Sequence, residues 1–220
     1  MSLGVGKETK RQMIERVERI VEILRQEYPD AKCRLDFGTP HQLLVAAILA
    51  AQCTDDRVNE VTPGLFRKYP DVRAFAEADT AELEEMVRST GFFRNKTKAI
   101  IATAREIVDI YGGRVPDTIE ELSSLSGVGR KTANLIVGEA YGKPAVIVDT
   151  HVKRVSGRLG LTASTDPDKI EFDLGELLSD DESTHFNHLV TFHGRAVCKA
   201  PKPKCDVCVI AHLCPIGIGG

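Results

Sequence analysis

The hydrophobic and polar positions of the chain follow the period of an α-helix over most of its length. Residues 7–27 carry apolar side chains at near-helical spacing, which predicts an amphipathic helix. Residues 41–52 are apolar on almost every side, which is typical of a central, buried helix. Further helices are predicted over 58–68, 72–76, 80–89, 96–111, 118–126, 130–141, 168–178 and 183–195. The pattern therefore predicts a nearly all-α protein built from about ten short helices.

The apolar residues 145–152 are the one stretch that could form a buried strand. A single strand without a partner is implausible, so we expect a loop that enters a helix capped by Asp149 or Thr150. Asp149 is then a carboxylate among apolar neighbours, either as a helix cap or as a reactive group, and the two roles are compatible.

The charge of the chain is segregated. The net charge is −3, but residues 166–182 carry eight acids against one lysine, whereas 88–114 and 193–204 are each basic by four charges. Such a separation allows one face to attract phosphate, although each run could equally be the solvated face of a helix. No apolar run approaches the roughly 20 residues that span a bilayer.

Four of the six cysteines crowd into the last 23 residues with the spacing C-x6-C-x2-C-x5-C, namely Cys198, Cys205, Cys208 and Cys214. This spacing is compatible with an iron–sulfur cluster, a structural zinc site or two disulfides. The loop between the first two cysteines is basic, with lysines at Lys199, Lys202 and Lys204. A secreted disulfide framework would spread its cysteines through a smaller chain, so we expect a reduced, cytosolic compartment.

A glycine turn separates two of the predicted helices. The first has a capping-box pattern from Asp117 to Glu120, and the second begins at about Arg130. Glycines at 127 and 129 permit the turn to present backbone N–H groups, and the start of the next helix adds a partial positive charge, so a phosphate fits there. Lys131 is either a solvated surface lysine or a nucleophile, because the helix dipole disfavours a cation in the first turn.

Two further positions stand out. Gln52 lies where the buried helix meets a polar segment, either as a simple surface amide or as a residue at the mouth of a site. Phe92 and Phe93 follow Gly91 in a turn flanked by basic residues, where an aromatic ring is either packed into the core or used for stacking on a base.

Three motifs together resemble the endonuclease III family: Leu-Ser-Gly-Val-Gly-Arg-Lys-Thr-Ala-Asn, Val-Asp-Thr-His-Val and the cysteine spacing. These are helix–hairpin–helix DNA glycosylases with a [4Fe–4S] cluster loop. The resemblance implies an all-α, two-domain fold, with a six-helix domain over 33–143 that includes the hairpin. The second domain would join residues 1–32 and 144–220 around a cluster bound by the four cysteines.

The resemblance also implies roles for individual residues. Lys131 would be the nucleophile and Asp149 the catalytic carboxylate. Gln52 would fill the gap left by a flipped nucleotide, and Phe92 stands where the family usually has a leucine wedge. DNA phosphates would be held by the turn and by the basic loop, at Gly127, Val128, Gly129, Arg130, Lys199, Lys202 and Lys204. Two departures from the family pattern are Ser126, in place of the hairpin proline, and Ser123, in place of an acid near the lysine.

The implied function is base-excision repair. The enzyme would remove oxidised pyrimidines from double-stranded DNA and cleave the strand at abasic sites by β-elimination through a lysine Schiff base. We expect a monomer in the cytoplasm of a prokaryote, at the nucleoid, with no membrane association. Two alternatives remain. An adenine-specific mismatch glycosylase would need a glutamate on the central helix, where residues 48–51 are all apolar. A non-catalytic DNA-binding protein would not need the lysine and aspartate pair.

Overall fold

The computed structural model describes residues 8–219, and the side chains of 8–217. Within these residues it is all helical, without a β-strand, as the hydrophobic pattern predicts. The α-helices are α1 (Lys10–Glu27), α2 (Pro40–Leu49), α3 (Asp55–Lys68), α4 (Val72–Ala76), α5 (Thr80–Val87), α6 (Phe93–Tyr111), α7 (Ile119–Ser124), α8 (Arg130–Tyr141), α9 (Thr150–Arg158), α10 (Pro167–Gly175), α11 (Asp180–Ala196) and α12 (Pro215–Gly219). Short 3₁₀ turns lie at Arg88–Thr90, Cys205–Val207 and Ala211–Leu213.

The predicted helix bounds differ from the observed ones mainly at the ends. The buried helix α2 ends at Leu49, three residues before the predicted end at Gln52. The capping box predicted from Asp117 to Glu120 is wrong by one residue, because Thr118 is the cap of α7. Its hydroxyl accepts from the Glu121 N–H and donates to the Glu121 carboxylate at 2.7 Å. The N-cap therefore lies one position further along the chain than predicted, and the glutamate three residues later bonds to its hydroxyl.

The chain divides into two compact units. The first is Cys33–Lys143, and the second joins Met1–Lys32 with Pro144–Gly220, of which residues 1–7 and 220 lie outside the described part. The first unit, here called the middle unit, contains α2–α8, one helix more than the six that the resemblance implies. In it the apolar α2 packs against α3, α6 and α8, so this helix is at the centre of the unit.

The second unit, here called the terminal unit, brings together α1 and α9–α12. Helix α11 packs against α1 and α9, and its buried Phe186 lies in one core with Ile20 and Val155. Arg16 of α1 donates to the carbonyl oxygens of Leu159 and Leu213 at 2.9 and 3.2 Å. The first helix is therefore tied to the C-terminal segment that carries the cysteines.

Candidate functional site

The glycine turn between α7 and α8 contains two glycines with different structural demands. Gly127 has a φ of +77°, and a Cβ atom placed on it would lie 2.7 Å from the Cβ of Ala99 in α6. Only glycine fits there, because both the backbone conformation and the neighbouring helix exclude a side chain. Gly129 has a φ of −86°, and its Cβ would meet no atom within 4 Å. Nothing within the described protein requires a glycine at that position.

Helix α6 holds this turn from one side. Glu106 accepts from both the N–H and the hydroxyl of Ser126, at 2.7 and 2.5 Å. The hydroxyl of Thr103 donates to the carbonyl oxygen of the same serine. The serine that departs from the family pattern therefore has a local use, because a proline would offer neither an N–H nor a hydroxyl to the glutamate.

Not every backbone amide of the turn is available to an anion, because one of them is used within the turn. The side chain of Val128 is buried, and its N–H donates to the Leu125 carbonyl oxygen at 3.1 Å within the turn. Gly129 is the N-cap of α8 and supplies no side-chain capping bond. The amides of the first turn of α8, which starts at Arg130, therefore have no capping side chain and are the better anion site. Lys131 lies in this first turn and is exposed.

Asp149 is the N-cap of α9, so the prediction of a cap at 149 or 150 is confirmed. One carboxylate oxygen accepts from the Val152 N–H at 2.7 Å, and the other is 3.5 Å from the hydroxyl of Thr191. The side chain is half-buried. The cap fixes the carboxylate in place while the second oxygen, which has only a long contact, keeps capacity to accept or to face positive charge.

Gln52 and Phe92 share an unusual backbone conformation. Gln52 has a φ of +54° in the turn after α2, and Phe92 has a φ of +47° immediately before α6. Both side chains are exposed, and the Phe92 ring is 63% exposed. The adjacent Phe93 is half-buried, with the guanidinium groups of Arg88 and Arg94 at 5.4 and 5.5 Å from its ring. Of the two aromatic rings, Phe92 is therefore the one presented to solvent.

The four C-terminal cysteines, at 198, 205, 208 and 214, line one cavity in the terminal unit together with His193 and Arg158. All six cysteines of the chain are free thiols, so the described residues contain no disulfide. Nor do the described side chains include three His, Cys, Asp or Glu groups close enough to hold a single metal ion. The four thiols therefore face one common cavity in the terminal unit.

Hydrogen bonds from neighbouring side chains hold this cysteine segment. Arg158 donates to the Cys198 sulfur at 3.3 Å, and His193 contacts the Cys208 sulfur at 3.5 Å. Burial raises the pKa of the Cys208 thiol, and the charges of the other three cysteines raise it further. A bound cation would oppose both effects by favouring the thiolate.

The basic loop between Cys198 and Cys205 is fastened by the same arginine. Arg158 donates to the carbonyl oxygens of Lys199 and Pro201, at 2.9 and 3.2 Å. The loop lysines, Lys199, Lys202 and Lys204, are all exposed. The backbone of the loop is therefore held by the terminal unit while its positive charges face solvent.

The predicted site residues are divided between the two units. Gln52, Phe92 and the segment 127–131 lie in the middle unit, whereas Asp149 and the cysteine segment lie in the terminal unit. Sequence reasoning missed Glu106, Arg158 and Lys96. Lys96 had a usable signal, because it continues the buried stripe of α6 formed by Ile100, Ala104 and Ile107 at helical spacing.

Comparison with known proteins gives consistent matches. The model of the HhH-GPD superfamily of base excision DNA repair proteins matches residues 45–180. The protein named endonuclease III from Synechocystis sp. is 54% identical over 202 residues, which are 91% of this chain and 92% of that protein. A solved structure of a non-covalent endonuclease III–DNA complex is 41% identical with a TM-score of 0.85, and covers 96% of this chain and 97% of its own.

A second solved structure, a trapped endonuclease III–DNA covalent intermediate, matches with the same identity, TM-score and coverage. Across residues 8–219 we find no helix with the length and apolar character needed to cross a membrane.

Proposed function

The chain belongs to the endonuclease III family of base excision DNA repair proteins, and we propose from this membership which of its residues carry out the reaction. It is a bifunctional enzyme, a DNA glycosylase that also cleaves the strand at abasic sites. DNA is its substrate, and the class of lesion that we propose is the oxidised pyrimidine in a duplex. The observation that carries the assignment of residues is the hairpin, where an exposed lysine stands in the first turn of a helix with no capping side chain.

The hairpin binds a DNA phosphate through the start of α8. Gly129 has open space where a side chain would be, although no part of the protein needs that space. A phosphate that approaches the backbone closely would need it, and the helix dipole favours the negative charge. The exposed lysines of the loop 199–204 add further phosphate contacts that do not depend on sequence.

Lys131 is the nucleophile. Its amine nitrogen forms a bond to C1′ of the damaged nucleotide while the bond between the sugar and the base breaks, and the base leaves with the electron pair. Opening of the sugar ring and loss of an amine proton give the Schiff base. Removal of a proton from C2′ then expels the 3′ phosphate and nicks the strand by β-elimination. The base must first leave the helical stack, which is easiest for a poorly stacked or poorly paired one.

Asp149 supplies the negative charge that this reaction needs. Positive charge develops on the sugar as the base departs, and a fixed carboxylate stabilises it. Because the cap to Val152 already holds the side chain, little reorganisation is required. Asp149→Asn should keep the cap and the fold, since the amide oxygen still accepts from the N–H, but lose most base excision. Single-turnover excision of an oxidised pyrimidine at the wild-type rate would contradict this role.

Borohydride trapping on abasic duplex DNA tests the nucleophile directly, because reduction of the Schiff base leaves a covalent protein–DNA adduct. Lys131→Gln should abolish the adduct and leave salt-sensitive DNA binding largely intact. Lys143→Gln, at a lysine whose amine is held by Asp117, is the matched control and should still crosslink. A crosslink that persists in the Lys131 variant would exclude this lysine.

We propose that Cys198, Cys205, Cys208 and Cys214 bind a [4Fe–4S] cluster. The shared cavity and the neighbouring donors of Arg158 and His193 suit a group with several sulfurs. When bound, such a cluster organises the loop and is capable of electron transfer. The purified protein should be brown, absorb near ~400 nm and contain about four irons. A colourless preparation with stoichiometric zinc would reverse the assignment.

The remaining assignments are also proposals. The middle unit is the helix–hairpin–helix domain, and the terminal unit is the cluster domain formed by both chain ends. We propose that the protein acts as a monomer in the prokaryotic cytoplasm, where the DNA lies. Sedimentation of the protein alone and bound to a short duplex would test the monomer.

A further inference from the structure

Lys96 is a buried lysine that the reaction described above does not use. Only 4% of its surface is exposed, although it belongs to a residue type that is rarely buried without a charged partner. Its amine donates to the carbonyl oxygens of Leu49 and Thr90, at 2.8 and 2.7 Å. No ion pair described for the protein involves it. Burial lowers the pKa of its amine, so the position is costly for the charged form.

The two carbonyl groups explain why a cation is stable there. Leu49 is the last residue of α2, and Thr90 is the last residue of the 3₁₀ turn that precedes α6. Carbonyl groups at the C-terminal end of a helix lack intrahelical donors and carry partial negative charge. One ammonium group therefore satisfies the ends of two helical segments that lie 47 and 6 residues away along the chain.

Each of these carbonyl groups lies at the start of a turn in which one residue has a left-handed backbone conformation. Gln52 follows Leu49 by three residues, and Phe92 follows Thr90 by two. A left-handed conformation in a residue other than glycine costs about 1 kcal/mol or more and persists only where the surroundings enforce it. Lys96 is the side chain that is hydrogen-bonded to the start of both turns.

We propose that Lys96 is a positioning residue that couples the backbone conformations of Gln52 and Phe92, so that the two side chains enter the DNA together. The inference rests on the proposed function and on the two roles that the family resemblance implies, in which Gln52 would fill the gap of the flipped nucleotide and Phe92 would wedge into the opposite strand. All of these residues belong to the middle unit, so the coupling is internal to it. The lysine acts through the two turns and does not itself take part in the chemistry at the sugar.

The consequence is specific to extrusion of the damaged base. Without Lys96 the two carbonyl groups lose their donor, and the turns relax toward ordinary backbone angles. Loss of a preorganised geometry of this kind reduces the rate by roughly ten- to a hundred-fold. A substrate in which the lesion is already extrahelical should escape most of this loss, because it does not need the two side chains to enter the duplex together.

The test compares one lesion in two contexts. Single-turnover excision of an oxidised pyrimidine is measured in a fully paired duplex and in the same sequence with an unpaired bubble around the lesion. Lys96→Met should lose about ten-fold or more on the paired substrate and less than about three-fold on the bubble. Lys68→Met is the control, because Lys68 is an exposed lysine of the same unit that pairs with Glu82, and it should change neither rate.

A double-mutant cycle keeps the proposal testable if Lys96→Met fails to fold. Gln52→Ala, Phe92→Ala and the double variant all retain Lys96. The effects of the two single substitutions on excision from the paired duplex should be strongly non-additive, because loss of either side chain already prevents the two from acting together. Additive effects would overturn the coupling.

Equal losses on the paired and bubble substrates would also overturn it, since they indicate a general structural role. Failure of the proposed lesion class would instead appear as a wild-type protein that excises from neither substrate. In that case strand cleavage at an abasic site is measured in the paired duplex and in the bubble. The same difference between the two substrates is expected for Lys96→Met.

Discussion

Replacing Gly127 by alanine should destabilise the protein strongly, whereas the same replacement at Gly129 should weaken DNA binding with little loss of stability. The two glycines are two residues apart in one exposed turn, so the substitutions are chemically identical and locally matched. Only Gly127 has a left-handed backbone and a close neighbour in α6.

The magnitude at Gly127 follows from two separate costs. A φ of +77° is unfavourable for alanine by about 1–2 kcal/mol. The new methyl group would also lie 2.7 Å from the Cβ of Ala99, well inside normal contact, and overpacking of this kind costs about 1–3 kcal/mol. Because the turn is exposed and can shift, we expect a total of about 2–4 kcal/mol. In a protein of this size, each kcal/mol lowers Tm by roughly 2–4 °C.

Gly129 has neither cost. Its φ of −86° suits any residue and its Cβ meets nothing within 4 Å, so alanine there should cost only its weaker preference for the N-cap, about 1 kcal/mol or less, and lower Tm by no more than about 4 °C. A phosphate seated on the first turn of α8 would, however, be displaced by the methyl group. Binding to an uncleavable abasic-site analogue should therefore weaken by about ten-fold, or 1.4 kcal/mol.

Thermal unfolding and equilibrium DNA binding of both variants are the measurements required. Ala99→Gly separates the two costs at Gly127, because it removes the neighbouring methyl group and leaves the left-handed backbone unchanged. Relative to Ala99→Gly alone, adding Gly127→Ala should then cost only about 1–2 kcal/mol. A stable Gly127→Ala protein would refute the packing argument, and full DNA affinity in a stable Gly129→Ala protein would refute the phosphate site.

Three further predictions concern single side chains. Glu106→Ala removes the acceptor of both Ser126 donors and should lower the free energy of unfolding by about 0.5–1.5 kcal/mol in urea titrations, because both donors are exposed and water can replace the carboxylate. Arg158→Met should speed limited proteolysis within residues 199–204, because the backbone of that loop loses its donor, and an unchanged rate would contradict this. Burial raises the pKa of the Cys33 thiol to about 11 from 9.0. As the pH rises, the unfolded state therefore loses this proton before the folded state does. The free energy of unfolding of the wild type, measured by urea titration relative to Cys33→Ser, should fall by about 2–3 kcal/mol from pH 9 to pH 11.

Much of the helical structure could be predicted because its causes are local. The bounds of α4 and α8 agree with the predicted ranges. Asp71 and Asp79, each directly ahead of a predicted helix, cap α4 and α5 by accepting from an N–H three residues later. Each of these signals lies within about four residues of the feature that it controls. The cap of α7 lies one residue beyond the predicted position because Asp117 and Thr118 are both good caps, and local preference does not choose between them.

The candidate site could be predicted only where a motif is contiguous. The hairpin, the cysteine segment and Asp149 were all visible as short sequence patterns. The left-handed turns at Gln52 and Phe92 were not, because a helix that ends at Leu49 and one that ends at Gln52 have the same apolar pattern.

The sequence by itself determined the helices, their caps and the spacing of the cysteines, because these depend on neighbours within one or two helical turns. Tertiary structure alone decided which glycine of the turn is required by packing, and it also gave Glu106 and Lys96 their partners. The Lys96 amine meets a carbonyl group 47 residues away, and Glu106 meets a serine 20 residues away. Contacts of this length depend on how the helices pack, since the hydrophobic pattern identifies the buried face of a helix but not the atoms that will oppose it.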